Sequence, residues 1–320
     1  MTNSPDDLVP GRRVVVRYRL PPEDPQRFTD VIGELVSLDP LTVHATTGAT
    51  VTIPGEQVVA VKALGPRPIR VREIRALEAA AADGWPGVQH AWIDGWLLRT
   101  GNGYTKRANS AVPLGTVGGP AQLTAPTLER IEQWYAERQM PVLLTVPDRL
   151  ASPPPGWRTW GEVVVMGIDL DNFVLPQGPS MVRIEPEPNS AWLDLHRFKG
   201  EDIVPVPPDI PDLEVLTAVH QGELGFATLG LPNPLAIGRG AVTTSPDGRR
   251  WIGLTGIAVA APHRRRGLGT LVCAELIRWG HKREATHAYL QVEADNPAGI
   301  ALYRAMGFLE HHRYRYAAPA

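Results

Sequence analysis

A chain of 320 residues is long enough for two or three domains, and its 43% apolar and 21% charged content is that of a folded protein. A formal net charge of −2 excludes whole-protein attraction to nucleic acid or to an anionic membrane. The single cysteine, Cys273, excludes an internal disulfide, no apolar run approaches the roughly 18 residues of a membrane span, and the opening MTNSPDDLVP lacks a basic-then-apolar signal pattern, so a cytoplasmic location is expected.

Residues 1–64 read as five short strands with tight turns: Arg13 to Leu20, Phe28 to Leu38, Leu41 to Ala45, Ala49 to Ile53 and Gln57 to Leu64. Thr46-Thr47-Gly48 is a hairpin signal between the third and fourth. The pattern suggests a small SH3-like β-barrel. With only Tyr18 and Phe28 aromatic, a structural or docking module is the better reading than a peptide groove.

Residues 65–180 begin with a Gly-Pro linker and a helix over Ile69 to Ala82. Strands are expected at Gly95 to Arg99, Lys106 to Val112, Val142 to Val146 and Glu162 to Leu170, with a helix at Thr127 to Arg138. Leu175 to Pro188 is rich in Pro, Gly and charge and marks a boundary near 180. A helix over Asn189 to Phe198, capped by Asn189 or Ser190, opens residues 181–320. The proline-bearing stretch 199–212 is a candidate acceptor-binding loop. Val215 to Val219 and Leu224 to Thr228 then read as a hairpin around Gln221-Gly222, and Ile237 to Thr243 as a third strand.

The stretch with the most chemistry is WIGLTGIAVAAPHRRRGLGT, Trp251 to Thr270. Ile252, Thr255, Ile257 and Val259 make a buried strand, Pro262 ends it, and Arg264-Arg265-Arg266-Gly267-Leu268-Gly269 leads into a helix. That helix carries Leu268, Val272, Leu276 and Trp279 on one face and ends at Gly280. The first amides of a helix have no intrahelical partner and its dipole favours an anion there, so this is a site for a pyrophosphate. Three arginines without interleaved aromatics are a poor footprint for nucleic acid.

R-x-x-G-x-G after such a strand resembles motif A of the GCN5-related N-acetyltransferases (GNAT). Tyr289 to Asn296, then Ala301-Leu302-Tyr303 and Gly307-Phe308, resemble the second half of that fold. The resemblance implies an α+β GNAT fold, a mixed central sheet flanked by helices. Residues 65–180 look like a degenerate first copy, because strand, Gly-bearing loop (Thr116 to Pro120), helix and strands recur there without the arginines. The whole order is similar to an actinobacterial group described as histone-acetyltransferase-like or N-acetylglutamate-synthase-like.

The same resemblance implies acetyl-coenzyme A (acetyl-CoA) as the co-substrate, held by Ile257, Ala258, Val259, Arg264, Arg265, Arg266, Gly267, Leu268, Gly269, Thr270 and Asn296. It also implies that a backbone N–H of the strand, that of Val259, meets the thioester carbonyl, and that Tyr303 protonates the departing thiolate. Asn296 is equally well explained as a helix N-cap before Pro297. The strand 251–259 holds no carboxylate, so Glu293 is the first choice of base against a plain surface role, with Asp295 and His220 behind it. By resemblance the acceptor is a primary amine, either of an amino acid such as glutamate, for which Arg99, Lys106, Arg107 and Arg239 could serve as cationic partners, or of a protein lysine. A non-catalytic coenzyme-sensing adaptor is the rival reading. No metal is expected: no Cys/His cluster exists, and His311 and His312, adjacent in a strand, should face opposite ways.

Overall fold

The computed structural model describes residues 8–65, 68–116, 119–176, 180–198 and 212–320. The chain divides into two compact units, 1–68 and 69–320.

The first unit contains the five expected strands: β1 (Arg13–Arg19), β2 (Phe28–Leu38), β3 (Leu41–Ala45), β4 (Thr50–Ile53) and β5 (Val58–Ala63). They form one antiparallel sheet in the order β4-β3-β2-β1-β5. Period-two alternation makes it legible: along β2, Val31, Gly33 and Leu35 turn inward and their neighbours outward. Val14, Val16, Val43 and Ile53 complete the core.

The second unit has helices α1 (Val71–Gly84), α2 (Ala125–Ala136), α3 (Ser190–Phe198), α4 (Asp212–Thr217), α5 (Leu268–His281) and α6 (Pro297–Ala305). A small antiparallel sheet holds β6 (Gln89–Ile93), β7 (Trp96–Thr100) and β8 (Val112–Pro113). A large sheet holds β9 (Leu144–Pro147), β10 (Arg158–Asp169), β11 (Val182–Glu185), β12 (Glu223–Leu229), β13 (Ala236–Thr244), β14 (Arg250–Val259), β15 (His287–Glu293) and β16 (Leu309–Ala318). Its order is β11-β12-β13-β14-β15-β10-β16-β9, antiparallel throughout except β14 beside β15.

The boundary expected near residue 180 falls between β10 and β11, two strands of this one sheet. β10 lies between β15 and β16, and β16 between β10 and β9, so each part of the chain lends its last strand to the other. The sequence of β10 suits a central place: Val163, Val164, Val165 and Met166 are all nearly or fully buried, as a strand covered on both faces requires. α5 covers one face, with Val272, Cys273, Leu276 and Ile277 against Ile252 and Leu254. Truncating one such buried Leu to Ala costs about 2–5 kcal/mol. The other face is covered by α1, through Leu77, Ala80 and Ala81, and by α3, through Trp192 and Leu195.

One expected strand is cut short and another is replaced by a helix, and β6 and β11 were not anticipated. Lys106 to Val112 forms a 3-10 turn, Arg107–Asn109, and only a two-residue strand. The cause is Asn109, whose side chain captures nearby backbone and competes with a ladder. Its Oδ1 accepts from Gly101 N (2.8 Å) and Gly103 N (3.1 Å), while its Nδ2 donates to Tyr104 O (2.9 Å) and Thr105 O (2.7 Å). Val215 to Val219 begins as helix α4, not as a strand. Charges serve both ends of that helix. Asp212 at its start takes both Arg197 Nε and Nη2 at 2.7 Å, and Arg239 donates to the carbonyls of Leu216 (2.6 Å) and Ala218 (2.8 Å) at its end. Most of the loop 199–212 lies outside the described residues. Among the described residues no helix is long and apolar enough to cross a membrane.

Candidate active site

The site begins where two parallel strands part. β14 and β15 pair only from Trp251 with His287 to Leu254 with Leu290. Beyond that, β14 bulges: Arg239 faces Thr255 but Ile237 faces Ala258, and Gly256 between them takes φ of 60°, which glycine adopts without strain. Thr255 to Val259 is only partly covered, whereas Trp251 to Leu254 is buried. Ala260 N donates to Leu235 O at 2.9 Å, towards the β13 side. N–H directions alternate along a strand, so the Val259 N–H points into the gap on the β15 side.

The loop after β14 keeps its amides open. Arg265 and Gly267 have φ of 63° and 76°. Gly267 is the N-cap of α5 and offers no side chain to the helix end. The N–H groups of Arg265 to Thr270 donate to no backbone carbonyl among the described residues. No acidic residue stands in the first turn, while Arg264, Arg265 and Arg266 are exposed in front of it. Gly269 is buried between Val259 and Leu302, at the junction of β14, α5 and α6. Backbone donors, a helix N-terminus and three cations at one place fit a diphosphate.

α6 starts at Asn296, whose Oδ1 caps it through Gly299 N at 2.9 Å. Tyr303 packs partly buried with the α5 core, its ring 6.1 Å from that of Phe308. Burial first, and Cys273 second, raise the Tyr303 phenol above the ordinary tyrosine range, so it keeps its proton at neutral pH. Cys273 itself is fully buried, and burial pushes its thiol up to about 12. Glu293, the last residue of β15, lines a cleft of about 350 Å³ with Thr105, Lys106, Arg107, Val163, Gln291 and Tyr316. Asp295 lies in an adjoining cleft, of about 660 Å³, that also includes Lys106 and Glu293.

The structure brings in residues that the sequence did not single out. The 101–107 loop overlies this end of the sheet, with φ of 54° at Asn102 and 58° at Thr105, a conformation unusual for a β-branched residue. Tyr104 Oη is 2.7 Å from His196 Nε2, and the His196 ring lies 3.5 Å from where a Cβ on Gly256 would stand, against the bulge of β14. Burial pushes the Tyr104 phenol up to about 12. His196 stacks on Trp192 with ring centroids 5.1 Å apart. Their i, i+4 spacing on α3 was visible in the sequence. The partner Tyr104, 92 residues away, was not.

Other expected residues fall elsewhere. His220 is held by Asp83 at the end of α1, with Nδ1 to Oδ1 at 3.1 Å, and does not line the clefts. His311 and His312 do not face apart: their Nδ1 atoms are 2.8 Å from each other. His311 is the extra residue of a bulge, since Val165 pairs with His312 and Met166 with Glu310, and the bulge breaks the alternation. His312 Nε2 also meets the buried Glu78 at 2.7 Å. Among the described residues no group of three His, Cys, Asp or Glu side chains could hold a metal ion.

Two family descriptions match the chain: "Probable histone acetyltransferase Rv0428c C-terminal" over residues 71–317 and "Rv0428c N-terminal Sm-like domain" over residues 8–62. The protein named "Probable histone acetyltransferase Rv0428c" of Mycobacterium tuberculosis is 37% identical over 309 residues, covering 96% of this chain and 94% of its own. The "Uncharacterized N-acetyltransferase YobR" of Bacillus subtilis is 29% identical over 264 residues, 76% of this chain and 98% of its own. A solved GCN5-related N-acetyltransferase from Kribbella flavida superposes with a TM-score of 0.50 at 16% identity, covering 77% of this chain and 95% of that one, a likeness of fold. With the splayed strands, the open helix end and a family match over residues 71–317, the chain belongs to the GNAT-type acetyltransferases, in the Rv0428c-like family with an N-terminal Sm-like domain.

Proposed function

We propose that residues 181–320 transfer an acetyl group from acetyl-CoA to a primary amine by direct attack on the thioester. The observation that carries this is the set of unfilled N–H groups from Arg265 to Thr270, at the N-terminus of α5 and beside the unpaired edge of β14. These amides would take the diphosphate, with Arg264, Arg265 and Arg266 adding charge. Ile257, Ala258 and Val259 would pair with the extended arm of the coenzyme. Negative charge grows on the thioester oxygen as the amine attacks, and the Val259 N–H is aimed to stabilise it. The new bond joins nitrogen to the acetyl carbon, and the bond from that carbon to sulfur breaks. Tyr303, protonated at neutral pH as tyrosines are and kept so by its burial, gives its proton to the leaving sulfur. Glu293, in the cleft, accepts the proton that the amine loses. Asn296 serves α6 as its cap and could add a hydrogen bond to the coenzyme.

Residues 65–180 act as a degenerate copy of the fold that supplies one wall of the acceptor cleft. The exchange of last strands between the two parts and the placing of the 101–107 loop support this. The five-stranded N-terminal unit is an SH3-like docking module, a reading its strand order supports. The acceptor is either an amino acid or a protein lysine. The mycobacterial relative is named for the second of these.

An acceptor screen with acetyl-CoA and detection of released thiol tests the reading. Release with at least one class of amine is expected. Coenzyme binding with no release for any amine would favour a coenzyme-sensing adaptor instead, and no coenzyme binding at all would end both.

A further inference from the structure

Arg99 and Arg239 both lie within electrostatic reach of Arg107, and Lys106 shares a cleft with Arg107. None has a carboxylate within 4 Å among the described residues. Arg99 and Arg239 are 3% and 0% exposed. Arg99 donates to Ser110 O (3.3 Å), Trp85 O (3.2 Å) and Ser110 Oγ (3.3 Å). Arg239 donates to Leu216 O, Ala218 O and, at 3.4 Å, Thr255 Oγ1, and lies 4.7 Å from the Trp85 ring centroid. All these acceptors are neutral. Burial, and then the Arg107 charge, hold Arg239 down at about 9.

Arg107 is half-buried at the cleft wall and uses only Nε, towards Tyr314 Oη at 3.4 Å. Its two terminal nitrogens, part of the planar fork that matches a carboxylate, have no partner among the described residues. Lys106 lines the same cleft, its Nζ 5.7 Å from the Tyr316 ring centroid. The nearby acids are engaged elsewhere: Glu78 with His312, Asp212 with Arg197, and Glu162 with Arg315 at 2.6 Å. Glu293 stands at this cleft and Asp295 at the adjoining one that Lys106 also lines, both beyond ion-pair distance of either cation.

Burying charge without a counter-charge is costly, so such a cluster is expected where a ligand supplies the missing sign. We propose that the acceptor is a small molecule bearing a carboxylate as well as its amine, and that Arg107, with Lys106, takes that carboxylate. This rests on the acetyl-transfer reading and adds the chemical class of the acceptor. The same positive field favours the neutral, nucleophilic form of the incoming amine. It opposes a lysine flanked by further cations in a basic peptide.

Titration of the coenzyme A complex with N-acetyl amino acids and with their amides reads this anion site without turnover. The acids are expected to bind at least about tenfold tighter, as a charge-assisted fork implies. Arg107→Gln should erase that preference and leave coenzyme A affinity unchanged, and Arg107→Lys should restore part of it. Lys106→Gln, at an exposed position that spares the fold, should reduce the preference about threefold, roughly the effect of losing one exposed charge. Equal binding of acids and amides overturns the proposal, as does a parallel loss of coenzyme A affinity in Arg107→Gln. In a rate comparison, a basic peptide preferred over free amino acids also overturns it. If no amine of any class releases thiol, the acetyl-transfer reading fails, while the titration still decides the anion site by itself.

Discussion

Two helices in the second unit follow a glycine-bearing loop and precede a strand, and their N-termini could hardly differ more. α2 is closed. Its cap, Thr124, accepts from Thr127 N through its own hydroxyl, and the Thr127 hydroxyl reaches Asp94 at 2.7 Å, so a carboxylate of the chain already sits at that end. In the loop before it, Thr116 and Gly119 bond to each other's backbone. α5 is open: a glycine cap, no acid in the first turn, three arginines ahead of it and unfilled amides from Arg265 to Thr270. The surroundings otherwise correspond. A parallel bridge joins Ala111 to Leu144 on either side of α2, as β14 runs parallel to β15 on either side of α5. A helix N-terminus is therefore an anion site only when the cap leaves it one, and here the cap chemistry differs between two similar places.

The sharpest test of the contrast concerns the helix that the first part lacks. α6 stands between β15 and β16, whereas no helix stands between β9 and β10. Tyr303→Phe is expected to lower kcat by about 10²–10⁴-fold with acetyl-CoA affinity kept, the usual worth of a general acid. Burial raises its pKa, so the donor proton is present below the free-tyrosine value of about 10, and a rate profile should show no Tyr303 limb beneath that pH. A Phe variant with an unchanged rate would remove Tyr303 from the chemistry.

Next in size is Gly267→Val. Its φ of 76° costs a β-branched residue at least about 1–2 kcal/mol, and relief of that strain would turn the open amides away. Coenzyme affinity should fall about 30-fold by calorimetry. Asn109→Ala would loosen the 101–107 loop. A stability loss of about 3 kcal/mol is expected from the unsatisfied backbone groups, together with about a tenfold rise in acceptor KM and an unchanged acetyl-CoA KM. Equal rises in both KM values would make the loop a scaffold only. Smallest is Thr124→Ala, which should cost about 1 kcal/mol, or roughly 2–4 °C in Tm, and leave activity untouched. A fall in coenzyme affinity there would mean that the α2 end also binds.

Much of this was legible because the elements that matter are local. The period-two strands of the first unit and the run Trp251 to Thr270 carry their own turns and apolar stripes, whereas the helix end expected at Gly280 falls at His281, with Gly280 inside α5 against Ile252. β11 hid in a proline-rich stretch, and the misread α4 is held at both ends by Arg197, fifteen residues from Asp212, and by Arg239. The same distance problem hid His196 with Tyr104 and left the cations of the first part as a mere possibility.

By itself the sequence determined the open end of α5, since a glycine where a capping side chain would stand, and arginines where an acid would stand, act within one turn. It also determined the strand character of β10 and β14. Only the tertiary structure decided that β10 lies between β15 and β16, that β14 and β15 part after Leu254, and that Arg107 and Glu293 share a cleft. Those facts depend on which strand edges meet, and hydrogen-bonding edges are alike in every strand, so pairing is chosen by the packing of the whole sheet.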